Sequence, residues 1–466
     1  MATPRESKPS HRAGVLRETL LQQEIKDKGF ADVMVSLTGA ARAVPARARA
    51  AAAGAGGGAA LGLASLGAEV GSADETQMAL PPDLLNCFES SYELSTEAGF
   101  SSLSLRTPEA DRKASVLSSQ QVAPVQYLDK LGVVLGSVST GGLKTLRSHS
   151  LVREVRPIPE LTLVRPRRIA QAQPTPDITW GIERMNIPYL WKQSLEGQDI
   201  KVGHLDTGAD GKHPMLQGAF AAFAETNYVG RLVDPPPPEH DTDVHGTHTA
   251  ATIVGRPVNG YHMGVAPKAQ LASAIVIEGG RVTFRVLVGL NWILKQEVRV
   301  LSMSLGLPGR GDEFLDITDK LRELGVLLVV AIGNEGSGTS RYPGNYRTAL
   351  SVGAADADGR VAQFSSSEPM PPPRNRIVPD LVGPGVAVVS AAPGNRYMSM
   401  DGTSMATPHI AGLAALLFQA KPDATPDQVQ KAMFNACQRT SEMTRDRANR
   451  GMPDGKLALE RLVNSK

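Results

Sequence analysis

Cysteine is nearly absent. Cys87 and Cys437 are the only two in 466 residues, so no disulfide framework can be built, and no His/Cys zinc constellation appears. The two fall in different predicted domains, which points to free thiols. No catalytic-looking motif surrounds either, so a cysteine-protease role has no support. Neither sign of charge is in excess. Forty-nine Lys and Arg against 47 Asp and Glu leave a formal net charge of +2, which implies neither a nucleic-acid nor a membrane partner electrostatically. A signal-peptide core is missing too: Met1 to Ser10 is polar and charged, and no apolar stretch follows it. The run Ala50 to Gly71 is uncharged apart from Glu69. It is mostly Ala and Gly, whereas a membrane helix is rich in Leu, Ile, Val or Phe. It reads as a flexible low-complexity linker, with an internal anchor as the alternative. Cytoplasmic residence is the default expectation, with export by another route left open. The remaining composition, 41% hydrophobic and 21% charged, suits one large globular domain plus a smaller one.

What is present is a set of short motifs at helix starts and strand ends. Gly402-Thr403-Ser404-Met405-Ala406-Thr407-Pro408-His409 stands ahead of the Ala/Leu-rich run Ile410 to Phe418. A serine at a helix N-terminus can attack a carbonyl while its own N–H holds the resulting oxyanion. Alone, the motif reads as a helix cap. However, His245-Gly246-Thr247-His248 opens a second helix-like run. Ile200 to Gly208 is an apolar strand ending in Asp206-Thr207-Gly208, and open α/β sheets place functional groups at such strand ends. Gly325 to Asn334 is a further buried strand delivering an amide, a suitable oxyanion donor.

These motifs, in the order Asp, His, Asn, Ser, resemble the subtilisin-like serine proteases, the subtilases. The resemblance runs from about Trp180 to the C-terminus. It includes Gly264-Val265-Ala266-Pro267, Ser302-Met303-Ser304-Leu305-Gly306, Tyr342-Pro343 and Pro379 to Gly385. Asp-Thr-Gly is shared with aspartic proteases, but only one copy is present. The resemblance implies Ser404 as nucleophile, His245 as general base, Asp206 as its orienter, and Asn334 with the Ser404 N–H as oxyanion hole. It implies Ser304, Leu305, Gly306, Ile332 and Gly333 as substrate-binding residues. His248, three residues on, shares a helix face with His245 and is expected to pack nearby. Four departures from the family pattern are visible: Val244 before the base, Ala251 in the base helix, Ile332 before Gly-Asn, and Asp401 before Gly-Thr-Ser. Ile332 is expected to crowd the primary specificity pocket.

The fold class implied is α/β, a subtilisin-like parallel sheet flanked by helices. A smaller α+β propeptide-like domain with a low-complexity insertion precedes it. Alternation supports the sheet: strand Lys201–Leu205, helix from His245, strand Gln270–Ile277, helix Val286–Lys295, strand Val300–Ser304, helix Glu313–Leu324, strand Val326–Ile332 and helix Thr403–Phe418. The expected domains are a polar segment 1–30, a propeptide-like region 31–164, a linker with a processing site at 165–177, and the catalytic domain 178–466. Within 31–164, strands are expected at Asp32–Leu37, Val133–Ser139 and Val152–Ile158, with a helix at Gly142–His149 and an insertion from about Thr38 to Val122.

No cofactor is expected. The loop Gly255 to Met263, where many subtilases bind calcium, offers one Asn and no acid, so the usual ligands are not evident and calcium stays optional. Asp241 and Asp243 could bind cations or substrate, though their loop reads as a solvated Pro-rich insertion. The expected partners are protein or peptide substrates and the chain's own N-terminal region as an intramolecular inhibitor. The expected function is peptide-bond hydrolysis through an acyl-enzyme. A catalytically inactive peptide-binding or regulatory module is the alternative.

Overall fold

The computed structural model describes residues 11–38, 80–89, 121–174, 177–277, 279–372 and 375–464. They fall into two compact units. The smaller draws on residues 15–93 and 122–158, the larger on Pro159 onward.

In the smaller unit, helix α1 (His11–Lys28) leads into strand β1 (Ala31–Leu37). Strands β2 (Gln126–Leu128) and β3 (Val133–Val138), helix α2 (Thr140–Ser148) and strand β4 (Val152–Pro157) follow. The sheet is antiparallel in the order β2-β3-β1-β4. This is an α+β arrangement: β1, β3, α2 and β4 lie within a few residues of their expected bounds, whereas helix α1, in the segment expected only to be polar, and β2 were not expected. Val33, Val35 and Leu37 alternate into a core with Leu21, Val134, Leu143 and Leu146. The Ala/Gly-rich run expected as a linker lies outside the described residues. Part of the expected insertion is nonetheless ordered: Leu84, Cys87 and Phe88 pack into the same core. Phe88 lies so close over Gly136 that a Cβ there would come within 2.6 Å of its ring.

The larger unit holds a seven-stranded parallel sheet. Its elements are β5 (Thr162–Leu163), β6 (Arg168–Gln171), β7 (Lys201–Asp206), β8 (Phe220–Glu225), α3 (His245–Val254), β9 (Gln270–Ile275), α4 (Val282–Leu294), β10 (Val300–Met303), β11 (Leu305–Pro308), α5 (Leu315–Glu323), β12 (Leu327–Ala331), β13 (Arg341–Tyr342), β14 (Ala349–Ala355), β15 (Leu381–Pro384), β16 (Val388–Ala392), β17 (Arg396–Asp401) and α6 (Thr403–Ala420). The sheet order is β15-β14-β12-β10-β7-β9-β8, and every neighbouring pair is parallel. Both faces are covered, so the strands are apolar almost throughout. Val202 faces the main core with Ala250 and Ile410, while a Cβ on the next residue, Gly203, would meet Ile293 of α4. Every residue of α6 from Thr403 to Phe418 is buried, so this helix is the spine of one layer. Helix α4 begins at Val282, four residues before the expected start. Arg285 obscures that start, because it is fully buried with Nε 3.2 Å from Thr226 Oγ1 and Nη1 donating to Gly279 O at 2.8 Å. Cys87 and Cys437 are both free. No helix among the described residues is long and apolar enough to cross a membrane.

Candidate active site

The candidate side chains gather at the carboxyl ends of the parallel strands, where such sheets leave a crevice. Asp206 closes β7, Ser304 follows β10, and Asn334 lies just past β12. Two helix starts complete the set: His245 is the first residue of α3 and Ser404 the second of α6. Glycine makes the approach of α3 feasible. Gly208 turns the chain at φ +115°, and a Cβ on Gly246 would come within 2.0 Å of the Gly208 carbonyl oxygen.

Asp206 and His245 meet directly, with His245 Nδ1 2.7 Å from Asp206 Oδ1. The Thr207 N–H donates to the same oxygen at 2.8 Å. Both side chains are buried. Burial pulls the His245 imidazole down, but the charge and hydrogen bond of Asp206 outweigh it, so His245 titrates above an ordinary histidine. For Asp206, burial favours the neutral acid. The charge and hydrogen bond of His245 override that and hold its carboxyl below the ordinary range. His245 Nε2 is buried with no hydrogen-bond partner among the described residues. His248 is placed otherwise: its Nε2 lies 3.0 Å from the Val388 carbonyl, and burial lowers its pKa to about 3.

Val244 occupies the cap position of α3 but has no side chain able to accept a hydrogen bond. Asp241 does that work. Its Oδ2 accepts from Thr247 N and Oγ1, both at 2.6 Å, and its Oδ1 from Thr207 Oγ1 at 2.7 Å. The Asp241 carboxylate is therefore engaged in holding the helix start. Asp243 Oδ2 lies 3.3 Å from Arg165 Nη1.

Ser404 sits where α6 is weakened by Pro408. Proline has no N–H to give the carbonyl four residues earlier, and Ser304 Oγ donates to the Ser404 carbonyl instead, at 3.3 Å. As the second residue of the helix, Ser404 also keeps an N–H with no intrahelical acceptor. Asn334 is aimed by its own amide: Oδ1 accepts from Thr403 N and Oγ1, both at 2.9 Å, so Nδ2 points away.

The cleft between these groups is crossed by the chain itself, within the larger unit. Leu163 and Thr162 of β5 pair antiparallel with Leu305 and Gly306 of β11. The Val164 N–H donates to Ser304 O at 2.9 Å, Ser404 Oγ donates to Val164 O at 2.5 Å, and Asn334 Nδ2 donates to Arg165 O at 2.8 Å. Beyond it, Arg167 N–H donates to Asp401 O at 2.7 Å, and β6 pairs antiparallel with β17. The segment expected as a linker thus contains a strand, although Arg168, Ile169 and Gln171 stay exposed. Its polar sequence carries no periodicity, because backbone hydrogen bonds hold it in place.

Ser304, Leu305 and Gly306 accordingly border this segment. Ile332 is fully buried in a cluster with Met370 and Val378. Gly333 has φ +120°, and its N–H lies 3.3 Å from Thr403 Oγ1. Three participants were not singled out in the sequence: Thr162 to Val164, Arg341, and His204. The run Leu161 to Val164, mostly apolar with β-branched Thr162 and Val164, was a signal of extended backbone that could have been read. His204 had no readable signal. It is buried two residues before Asp206, with Nε2 2.9 Å from Thr249 Oγ1 and 3.6 Å from Asp206 Oδ2, and burial lowers its pKa to about 4. Among the described residues, no group of three or more His, Cys, Asp or Glu is placed to hold a metal ion.

Residues 197–454 match the family model for the subtilase family. Subtilisin E of Bacillus subtilis is 34% identical over 291 residues, covering 60% of this chain and 71% of that protein. An intracellular serine protease of Paenibacillus polymyxa is 36% identical over 258 residues, covering 54% and 76%. An alkaline protease of Shouchella clausii is 31% identical over 332 residues, covering 70% and 80%.

Proposed function

The chain belongs to the subtilase family and is a serine endopeptidase, and we propose that Asp206, His245 and Ser404 carry out its hydrolysis of peptide bonds. Ser404 Oγ attacks the carbonyl carbon, His245 Nε2 takes the proton, and Asp206 holds the imidazolium through Nδ1. His245 then gives that proton to the departing amine as the C–N bond breaks, and a water activated by the same nitrogen attacks the acyl-enzyme, which releases the acid as Ser404 Oγ recovers its proton. The observation that carries this reading is the convergence on one backbone. The Ser404 hydroxyl donates to Val164 O and Asn334 to Arg165 O, beside a buried Asp206–His245 pair whose outer nitrogen is unspent. A fluorophosphonate probe tests it: the adduct should map to Ser404, and an adduct on any other residue would refute the assignment. The complete set of reacting groups argues against an inactive peptide-binding module.

Asn334 Nδ2 and the Ser404 N–H would hold the oxyanion. Asn334→Ala should lower turnover about 10²–10³-fold, roughly 3–4 kcal/mol, with KM little changed. An unchanged kcat on a substrate limited by acyl transfer would make Asn334 merely a strand-end residue.

The segment Pro159 to Gln171 acts, in this reading, as an intramolecular inhibitor lying along the substrate strand, with the smaller unit as its propeptide-like carrier. A segment that binds the native cleft also stabilises the native state. Intact-mass measurement should show wild-type chain cut near Val164 to Asp177 and Ser404→Ala chain uncut. An active wild type that stays at 466 residues would mark the N-terminal part as a permanent regulatory domain.

A further inference from the structure

One side chain beside the cleft bears on substrate choice. Arg341 is wedged between two glycines: a Cβ on Gly333 would come within 3.1 Å of its Cγ, and one on Gly306 within 3.4 Å of its Cβ. Its guanidinium is fixed from several sides. Nε and Nη2 donate to Glu335 Oε1 at 3.1 and 2.7 Å, and Nη1 donates to Gly306 O at 3.0 Å. Glu335 is itself tethered, its Oε2 accepting from Asn334 N–H at 3.0 Å and from Ser366 Oγ at 3.2 Å. A planar fork held this way is preorganised, so little is lost in ordering it around a ligand.

The remaining contact of Nη1 is Thr162 Oγ1, at 2.9 Å. The same hydroxyl donates to Gly306 O at 3.1 Å. One hydroxyl therefore satisfies a donor and an acceptor at once, which few side chains can do. An aliphatic residue would leave the Arg341 donor facing carbon. A carboxylate would accept from Arg341 but set its oxygen against the Gly306 carbonyl.

We propose that Arg341 is a specificity-determining residue that selects peptides with Thr or Ser two residues ahead of the residue whose carbonyl meets Ser404. The proposal rests on reading Ser404 as the nucleophile and β5 as lying along the substrate strand. The test uses the full chain and two quenched peptides that differ only by Thr or Val at that position, with the cut mapped by mass. The chain's own segment competes equally with both peptides, so the ratio of their kcat/KM values is unaffected by it.

Wild type should favour the Thr peptide about tenfold, the scale of one hydrogen bond to a charged group at a partly open site. Arg341→Met should bring the ratio close to unity while still cutting the Val peptide. Arg341→Lys, a point charge without the fork, should fall between, and it decides the matter if the Met variant does not fold. A ratio near unity in wild type, or an undiminished preference in both variants, would overturn the proposal. If neither peptide is cut and Ser404 takes no fluorophosphonate, the nucleophile assignment has failed and this proposal falls with it.

Discussion

Ser404→Ala should reduce turnover about 10⁴–10⁶-fold while leaving the thermal midpoint nearly unchanged. The two halves of this expectation have separate physical origins. In the proposed mechanism, removing Oγ deletes the atom that forms the covalent bond, so the reaction falls back on whatever the oxyanion donors and binding achieve with water. The fold should barely register the loss. Ser404 is fully buried, but the one hydrogen bond of its hydroxyl goes to Val164 O, in the crossing segment and not in the core. Its backbone carbonyl keeps the Ser304 hydroxyl as partner. Measured kcat near the wild-type value would remove Ser404 from the mechanism. A large fall in thermal midpoint would show that the serine is structural as well as chemical.

Asp206→Asn should cost about 10⁴-fold in kcat/KM at neutral pH. The argument is one of tautomers. In the wild type the carboxylate can only accept, so His245 must carry its proton on Nδ1, 2.7 Å away, and Nε2 is left as the base. An asparagine amide can instead donate to Nδ1, which moves the proton to Nε2 and leaves no acceptor for the serine proton. The exchange also costs the Thr207 N–H its acceptor, because it donates to the same Oδ1 that faces His245 Nδ1.

The pH profile gives an independent reading. His245 must be neutral to accept a proton, so activity rises as pH climbs through its pKa. Asp206 raises that pKa, and the acid limb of kcat/KM should therefore move to lower pH in Asp206→Asn. A loss of rate with the acid limb unmoved would mean that Asp206 acts on something other than His245.

Much of the site was legible because its chemistry is tied to local backbone. A serine presented at a helix N-terminus is favoured by glycine just ahead of it and mostly small residues around it, as in Gly402 to Thr407. An acid at the end of a buried strand needs an apolar run before it, as in Ile200 to Leu205. These demands fall on neighbours in sequence, so Asp206, His245, Asn334 and Ser404 could be named from residue types alone once the family resemblance supplied their roles. The parallel sheet was legible for the same reason, since strands covered on both faces are apolar without alternation. Strands β8 and β14 are harder to read, being rich in alanine, which lacks the β-branched signature.

What depends on partners far apart in sequence was decided only by tertiary structure. Nothing near His248 shows that it points to the Val388 carbonyl while His245, three residues earlier, meets Asp206. Nor does the sequence show that Ile332 packs against Met370 and Val378. Arg341 reaches Thr162, 179 positions away in the chain. The path of Thr162 to Gln171 through the cleft is held by main-chain hydrogen bonds to β11 and β17, which any sequence can supply and no side-chain pattern records. Sequence by itself determined which groups could react, because reactivity belongs to residue type and local backbone. Tertiary structure determined which groups meet, which acid is engaged in holding a helix start, and what lies across Ser404, because those are distances between elements.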